Sequence, residues 1–254
     1  MEKLKEQWPE KYALDWDNVG LLVGREEKEV HKVFVCLDVT EETLEQASRW
    51  EADMIISHHP MIFSAVKKIT DRDFLGRKIL RLAAEDISYY AMHTNFDVMG
   101  MAALNGESLG LRNSRVLEVT CQDDVRQEGI GRAGDLPEEM TLKELAEYVK
   151  ERLKIPQVLV YGDLEKRISR AAISGGSGKS MVKPALDRNV QVLITGDIDY
   201  HGGIDAVASG LCIIDAGHYG TEYVFISYME EKLHQMFPEL EIKGARIHFP
   251  FQTV

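Results

Sequence analysis

The chain has 254 residues, 44% hydrophobic and 28% charged, with 42 acidic against 30 basic side chains and a formal net charge of −12. That length holds one large domain or two ordinary ones around a substantial core, and the acidity argues against broad binding to nucleic acid. No apolar run approaches the ~18–20 residues of a membrane span, and the first residues lack the apolar stretch of a secretory leader.

Cys36, Cys121 and Cys212 form no CxxC pair, and Cys36 and Cys212 sit inside apolar runs. Buried free thiols and a cytoplasmic setting are therefore expected.

Short apolar runs alternate with helical patterns, which predicts an α/β architecture. Val33–Leu37 reads as a strand, followed by Thr40 as N-cap with Glu41 and Glu42 in the first turn of a helix, where the dipole favours them. Asp53–Ser57 is a second strand. Asp73–Asp86 is a helix with Phe74, Leu75, Ile79, Leu80 and Leu82 on or near one face, and Ser88–Met92 is a third strand. A helix over Ala102–Leu109 closes at Gly110. Arg115–Gly134 is rich in β-formers and turn residues. Thr141–Leu153 reads as an amphipathic helix with a Thr141/Glu144 capping box.

The opening pattern then recurs. Arg170–Ser174 is a strand, Gly175–Gly178 a turn and Ser180–Asp187 a helix, followed by strands Val190–Thr195 and Leu211–Asp215. A long helix from about Thr221 to Met236 follows, with Ile247–Phe251 as a candidate final strand. Laid side by side, residues 1–114 and 115–254 form two topologically related α/β halves, with strand ends expected to face a shared metal cleft.

Three clusters follow buried strands: His58-His59, His93-x-x-x-Asp97 and His218-x-x-x-Glu222. Imidazoles and carboxylates at strand ends are the material of a first-row metal site. Neighbouring side chains on a regular strand point to opposite faces, but Pro60 ends the ladder and forces a turn that can aim both His58 and His59 into one cavity. Alone, such a pair also reads as one core and one surface histidine. His218 and Glu222 share a helix face one turn apart, a spacing equally found in ordinary surface pairs. Thr94-Asn95 favours a loop after His93, leaving Asp97 a ligand candidate and His93 either a ligand or a group that holds one.

Taken together, His58, His59, Asp97, His218 and Glu222 offer three neutral nitrogens and two carboxylates, too many for one tetrahedral site with an open position. They suit two ions ~3.5–4 Å apart that lower the pKa of a bridging water, so hydrolysis is the expected reaction class. In Thr195–His201, His201 is the candidate proton shuttle or phosphate partner, and Asp197 and Asp199 are candidates to orient ligand imidazoles. Ser174–Ser180 lacks the first glycine of a Walker A motif, since Ile173 stands there. It reads as a possible phosphate contact through backbone N–H groups.

The ordered set Trp16-Asp-Asn-Val-Gly-Leu-Leu-Val-Gly24, Ser57-His-His-Pro60, His93-Thr-Asn-Phe-Asp97, Thr195-Gly-Asp-Ile-Asp-Tyr-His201 and Asp215-Ala-Gly-His-Tyr-Gly-Thr-Glu222 resembles the Nif-three-like family, also labelled GTP cyclohydrolase I type 2 homologues or dinuclear metal centre hexameric proteins. The resemblance implies a two-domain α/β subunit in a toroidal homohexamer, in the compact form without a mid-chain insertion. It also implies two divalent transition-metal ions (Zn, Fe, Mn, Co or Ni) held by the same five residues, with Glu222 as the bridge. The activity it implies is hydrolysis of a nucleotide of the GTP cyclohydrolase type, and the residues themselves make His93 and His201 the catalytic candidates. The alternatives are a metal-dependent phosphoesterase and a ring-shaped metal-binding scaffold or regulator without turnover.

Overall fold

The computed structural model describes residues 1–122 and 127–252, and the chain divides into two units. The first comprises Met1–Phe96 and Tyr223–His248, and the second Asp97–Glu222 with the segment from Phe249. The chain thus leaves the first unit at Phe96/Asp97 and re-enters it at Glu222/Tyr223, whereas the sequence reading has one boundary near residue 114. The reason is the return of the chain: Glu241–Gly244 pairs in parallel with Lys32–Val35, a partner about 200 residues earlier that no local pattern announces.

The first unit opens with α1 (Glu2–Gln7) and is built on a five-stranded sheet. Its strands are β1 (Gly20–Val23), β2 (Lys32–Cys36), β3 (Met54–Ser57), β4 (Ser88–Ala91) and β11 (Glu241–Gly244), in the order β1-β4-β3-β2-β11. β2, β3 and β4 run parallel, and every residue of β3 and β4 is buried, as expected of a parallel sheet covered on both faces. The connections are α2 (Glu41–Arg49) and α3 (Phe74–Ala84). Thr40 caps α2, its hydroxyl accepting from the Thr43 N–H, and Asp73 caps α3 by accepting from Gly76. α3 buries Ile79 and Leu82 but leaves Phe74 and Leu80 exposed, so its apolar face is narrower than the sequence suggests. Phe34, Leu44, Ile55, Leu82 and Tyr89 form the core of this unit.

After β4 the chain is helical where a loop was expected. α4 (Thr94–Phe96) leads through a π turn over Asp97–Met101 into α5 (Ala102–Ser108). The cause is non-local, since Asp17 accepts from both the Thr94 N–H (2.9 Å) and its hydroxyl (2.5 Å). A carboxylate 77 residues away therefore does the work of a cap.

The second unit holds a six-stranded sheet in the order β5-β6-β8-β9-β10-β7. β5 (Arg112–Gln122) and β6 (Gln127–Thr141) form an antiparallel pair, in agreement with the β-rich reading of 115–134, of which residues 123–126 lie outside the described set. α6 (Leu142–Arg152) carries the expected Thr141/Glu144 capping box. There follow β7 (Leu159–Tyr161), β8 (Arg167–Ser177), a 3-10 turn at Lys179–Met181 with α7 (Val182–Asp187), β9 (Val192–Gly196), α8 (Tyr200–Ala208), β10 (Cys212–Asp215) and α9 (His218–Glu222). α10 (Val224–Met236), in the first unit, is separate from α9, the helix being broken at Tyr223. No strand forms over 247–251, where Ile247 and Phe251 are exposed.

The expected internal repeat is present in the topology. In the first sheet three consecutive parallel strands, β2-β3-β4, are edged by the preceding strand β1, antiparallel to β4. In the second, β8-β9-β10 are edged by the preceding strand β7, antiparallel to β10. Cys36 and Cys212 are buried free thiols, and Cys121 is a partly buried one. No described helix is long and apolar enough to cross a membrane.

Candidate metal centre

In the first unit the donors hang from the ends of β3 and β4. The His58 and His59 N–H groups still donate to β2 and its extension, at Cys36 O (3.3 Å) and Leu37 O (3.0 Å). Beyond them the chain turns around the buried Tyr89 hydroxyl, which accepts from the Met61 N–H (2.7 Å), donates to His59 O (3.0 Å) and lies 2.8 Å from Ser57 Oγ. The turn brings the two imidazoles together, with ring centroids 4.9 Å apart. His93, just past β4, joins them, and one ring nitrogen from each of His58, His59 and His93 lies within 4.8 Å of the others.

Each ring is held by its far nitrogen. His58 Nδ1 meets Met92 O at 2.9 Å, His59 Nδ1 meets Asp38 Oδ1 at 2.8 Å, and His93 Nδ1 meets Asp17 Oδ1 at 2.9 Å. A carbonyl or carboxylate can only accept, so each Nδ1 carries the proton and each neutral ring keeps its lone pair on Nε2. This is the arrangement by which proteins fix the tautomer of a metal-binding histidine. Burial alone would raise the Asp17 carboxyl, but hydrogen bonds from His93 and Thr94 outweigh it and hold the group down at about 2. Phe225 and Phe96 back the His58 ring at 5.3 and 6.1 Å.

In the second unit the donors are Asp97, His218 and Glu222. His218 Nδ1 lies 2.7 Å from Asp197 Oδ2, and its Nε2 lies 3.1 Å from Glu222 Oε2. Asp97, at the start of the π turn, places a carboxylate oxygen within 4.8 Å of one from Glu222. Asp197 sits in the left-handed backbone region (φ 54°), a conformation costly outside glycine and its small polar mimics. Asp215 organises the surrounding loops, accepting from Ile198 N (2.8 Å) and Gly217 N (2.9 Å).

In the Ser174–Ser180 segment, expected as a phosphate contact, two of the backbone amides have partners within the protein. Gly176 N–H donates to Thr221 Oγ1 (3.0 Å) and Gly178 N–H to Gly196 O (3.0 Å), so these amides are already engaged. Gly176 adopts φ +65°, and a Cβ there would stand 2.5 Å from Glu222 Oε1. The glycines therefore let β8 pass directly beneath the Glu222 carboxylate. Beside it lies Asn105, fully buried, neither of whose amide atoms has a hydrogen-bond partner among the described residues.

Of the two aspartates expected to orient imidazoles, Asp197 does so and Asp199 does not. Asp199 caps α8 by accepting from Gly202 N and pairs with Lys179. His201 is exposed on the first turn of α8, its ring against Tyr200, and belongs to none of the donor groups. Asp17 and Asp38, which hold His93 and His59, were not singled out in the sequence. Asp38 offered a signal, because it follows the buried end of β2 as the other clusters follow their strands.

Two sheets that share a four-stranded module, with His, Asp and Glu groups just past their strands that could bind a metal ion, define the class of this protein. The chain belongs to the family described as Duf34/NIF3 (NGG1p interacting factor 3), which matches residues 1–249. It is 38% identical over 221 residues to a GTP cyclohydrolase 1 type 2 homolog of Clostridium acetobutylicum, covering 86% of this chain and 82% of that one. It is 36% identical over 222 residues to the protein of the same name from Clostridium perfringens, covering 87% and 84%. Among solved structures, a Bacillus cereus protein related to NIF3 superposes with a TM-score of 0.91 at 26% identity, covering 100% of this chain and 97% of that one. A Staphylococcus aureus hypothetical protein matches with the same score and coverage at 30% identity.

Proposed function

We propose that the protein is a metal-dependent hydrolase acting on a nucleotide, in which His58, His59, Asp97, His218 and Glu222 would hold two divalent transition-metal ions. The observation that carries this reading is the uniform fixing of the rings: His58, His59 and His218 each engage an oxygen of their own unit through Nδ1, which leaves Nε2 as the nitrogen that binds. Nitrogen and carboxylate donors together suit Zn, Fe, Mn, Co or Ni. Bound there, a metal pair supplies hydroxide near neutral pH and polarises the bond under attack. His93 stands outside the five, and with Nδ1 fixed by Asp17 its Nε2 takes up and returns the proton of the reaction.

The name carried by the clostridial relatives makes GTP the first substrate to test. Protein loaded with two equivalents of zinc or manganese is expected to release formate from GTP, and His58→Ala to abolish that release. Phosphate release in place of formate points to phosphoesterase action. Two bound ions with no product from any nucleotide point to a metal scaffold without turnover. We further propose a toroidal homohexamer in the cytoplasm, consistent with the buried free thiols Cys36 and Cys212. Light scattering should return the mass of six chains.

A further inference from the structure

Two large aromatic side chains in the first unit are turned outward beside the imidazole cluster. Trp16 is 56% exposed and Phe63 55% exposed, although their ring centroids are only 5.6 Å apart. His93 lies 5.9 Å from Trp16 and 6.5 Å from Phe63, edge-on to both. Its ring nitrogen is in turn within 4.8 Å of those of His58 and His59.

This patch is anchored. Asp17, next to Trp16, binds His93 and Thr94, and Asn18 Nδ2 donates to Ile62 O (2.6 Å), the carbonyl just before Phe63. Leu14 N–H donates to Thr94 Oγ1 (2.9 Å). The hydrogen bonds that orient His93 thus also fix the Trp16 segment, and Asn18 fixes the Phe63 segment to it. These bonds fix the backbone that carries both rings, which lowers the ordering cost of binding a ligand there.

We infer that Trp16 is a stacking platform for a planar heteroaromatic ring, such as a purine base, with Phe63 backing the opposite face of the indole and His93 beside it. The gap between Trp16 and Phe63 is too small to admit a third ring, because two stacking distances of ~3.5 Å are needed for a sandwich. The ligand ring therefore lies on the outer face of Trp16. The inference deepens the proposed hydrolase reading, from which it takes the position of the reacting centre.

The test is a titration of the full-length protein with guanosine monophosphate, followed by tryptophan fluorescence and calorimetry, with and without zinc. Trp8 is buried and Trp50 partly buried, so Trp16 dominates any quenching by the ligand. Trp16→Ala is expected to weaken binding about tenfold or more, and Trp16→Phe to stay within about threefold of wild type. Ribose 5-phosphate, which lacks the ring, should bind all three proteins alike. Zinc stoichiometry and the circular-dichroism melt of Trp16→Ala should match wild type.

Equal guanosine monophosphate affinity in wild type and Trp16→Ala overturns the inference. So does a change in the mass of the assembly in Trp16→Ala with nucleotide binding unaltered, which would assign the rings to a contact between copies. Failure of zinc to bind, with Trp16-dependent quenching retained, sinks the metal reading and leaves the platform standing.

Discussion

The two units solve one problem with different donors. Both are built on three parallel strands edged by an antiparallel one, and both carry polar groups just past the ends of the second and third strands of that module, whereas Asp97 comes from the π turn over Asp97–Met101. The first unit presents three imidazoles, with its carboxylates, Asp17 and Asp38, placed behind the rings as acceptors. The second presents one imidazole and two carboxylates, with only Asp197 behind. A repeated scaffold thus fixes where donors stand, and the residues at each strand end decide whether the group is neutral or anionic. The glycines under Glu222 and the tyrosine under His59 are the corresponding supports, one making room and the other shaping a turn.

The comparison can be broken at its supports. Gly176→Ala should have the largest effect, since it adds left-handed strain and drives a Cβ to within 2.5 Å of Glu222 Oε1. We expect a loss of about 3 kcal/mol by chemical denaturation and reduced zinc stoichiometry by metal analysis. If Gly176→Ala binds zinc as wild type does, the second unit does not depend on this close approach.

Asp17→Asn tests the first unit in metal-free protein. The folded Asp17 group sits at about 2 against an ordinary 3.8. A carboxyl depressed in this way stabilises the fold fully above its unfolded value and loses that contribution as pH falls through about 2. At neutral pH the variant should be less stable by about 2 kcal/mol. The gap should close between pH 4 and pH 2 in urea melts, and a gap constant over that range would reject the assignment.

Asp197→Gly should weaken zinc binding about tenfold by releasing the His218 ring, with little change in the melt, because glycine accepts the left-handed backbone at this position. Calorimetry reads this directly, and unchanged affinity would mean that the 2.7 Å contact does not position His218. Thr141→Ala, remote from both clusters, should cost about 1 kcal/mol through loss of the α6 capping box and leave zinc binding untouched. It calibrates how much destabilisation alone disturbs the metal readouts.

Much of the second unit's local structure was legible because its signals are short in range. The Thr141/Glu144 box announced α6 to within a residue, and buried β-branched runs announced β9 and β10. The clusters His58-His59 and His218-x-x-x-Glu222 were legible because donors of the right type follow apolar strands at once. The helical turn after His93 was not, because Asp17 supplies its cap from 77 residues away. Nor was β11, a four-residue strand defined only by its partner β2, nor the role of the Ser174–Ser180 glycines, whose need arises from Glu222 packing above them.

The sequence by itself determined the α/β class, the repeated strand pattern and which residues stand as candidate metal donors, since all three follow from periodicity and residue chemistry along the chain. Tertiary structure alone decided which nitrogen of each histidine faces outward. It also decided which aspartates stand behind which rings, and where the units divide. Those choices depend on hydrogen bonds and strand pairs between residues distant in sequence, and no local window contains both partners.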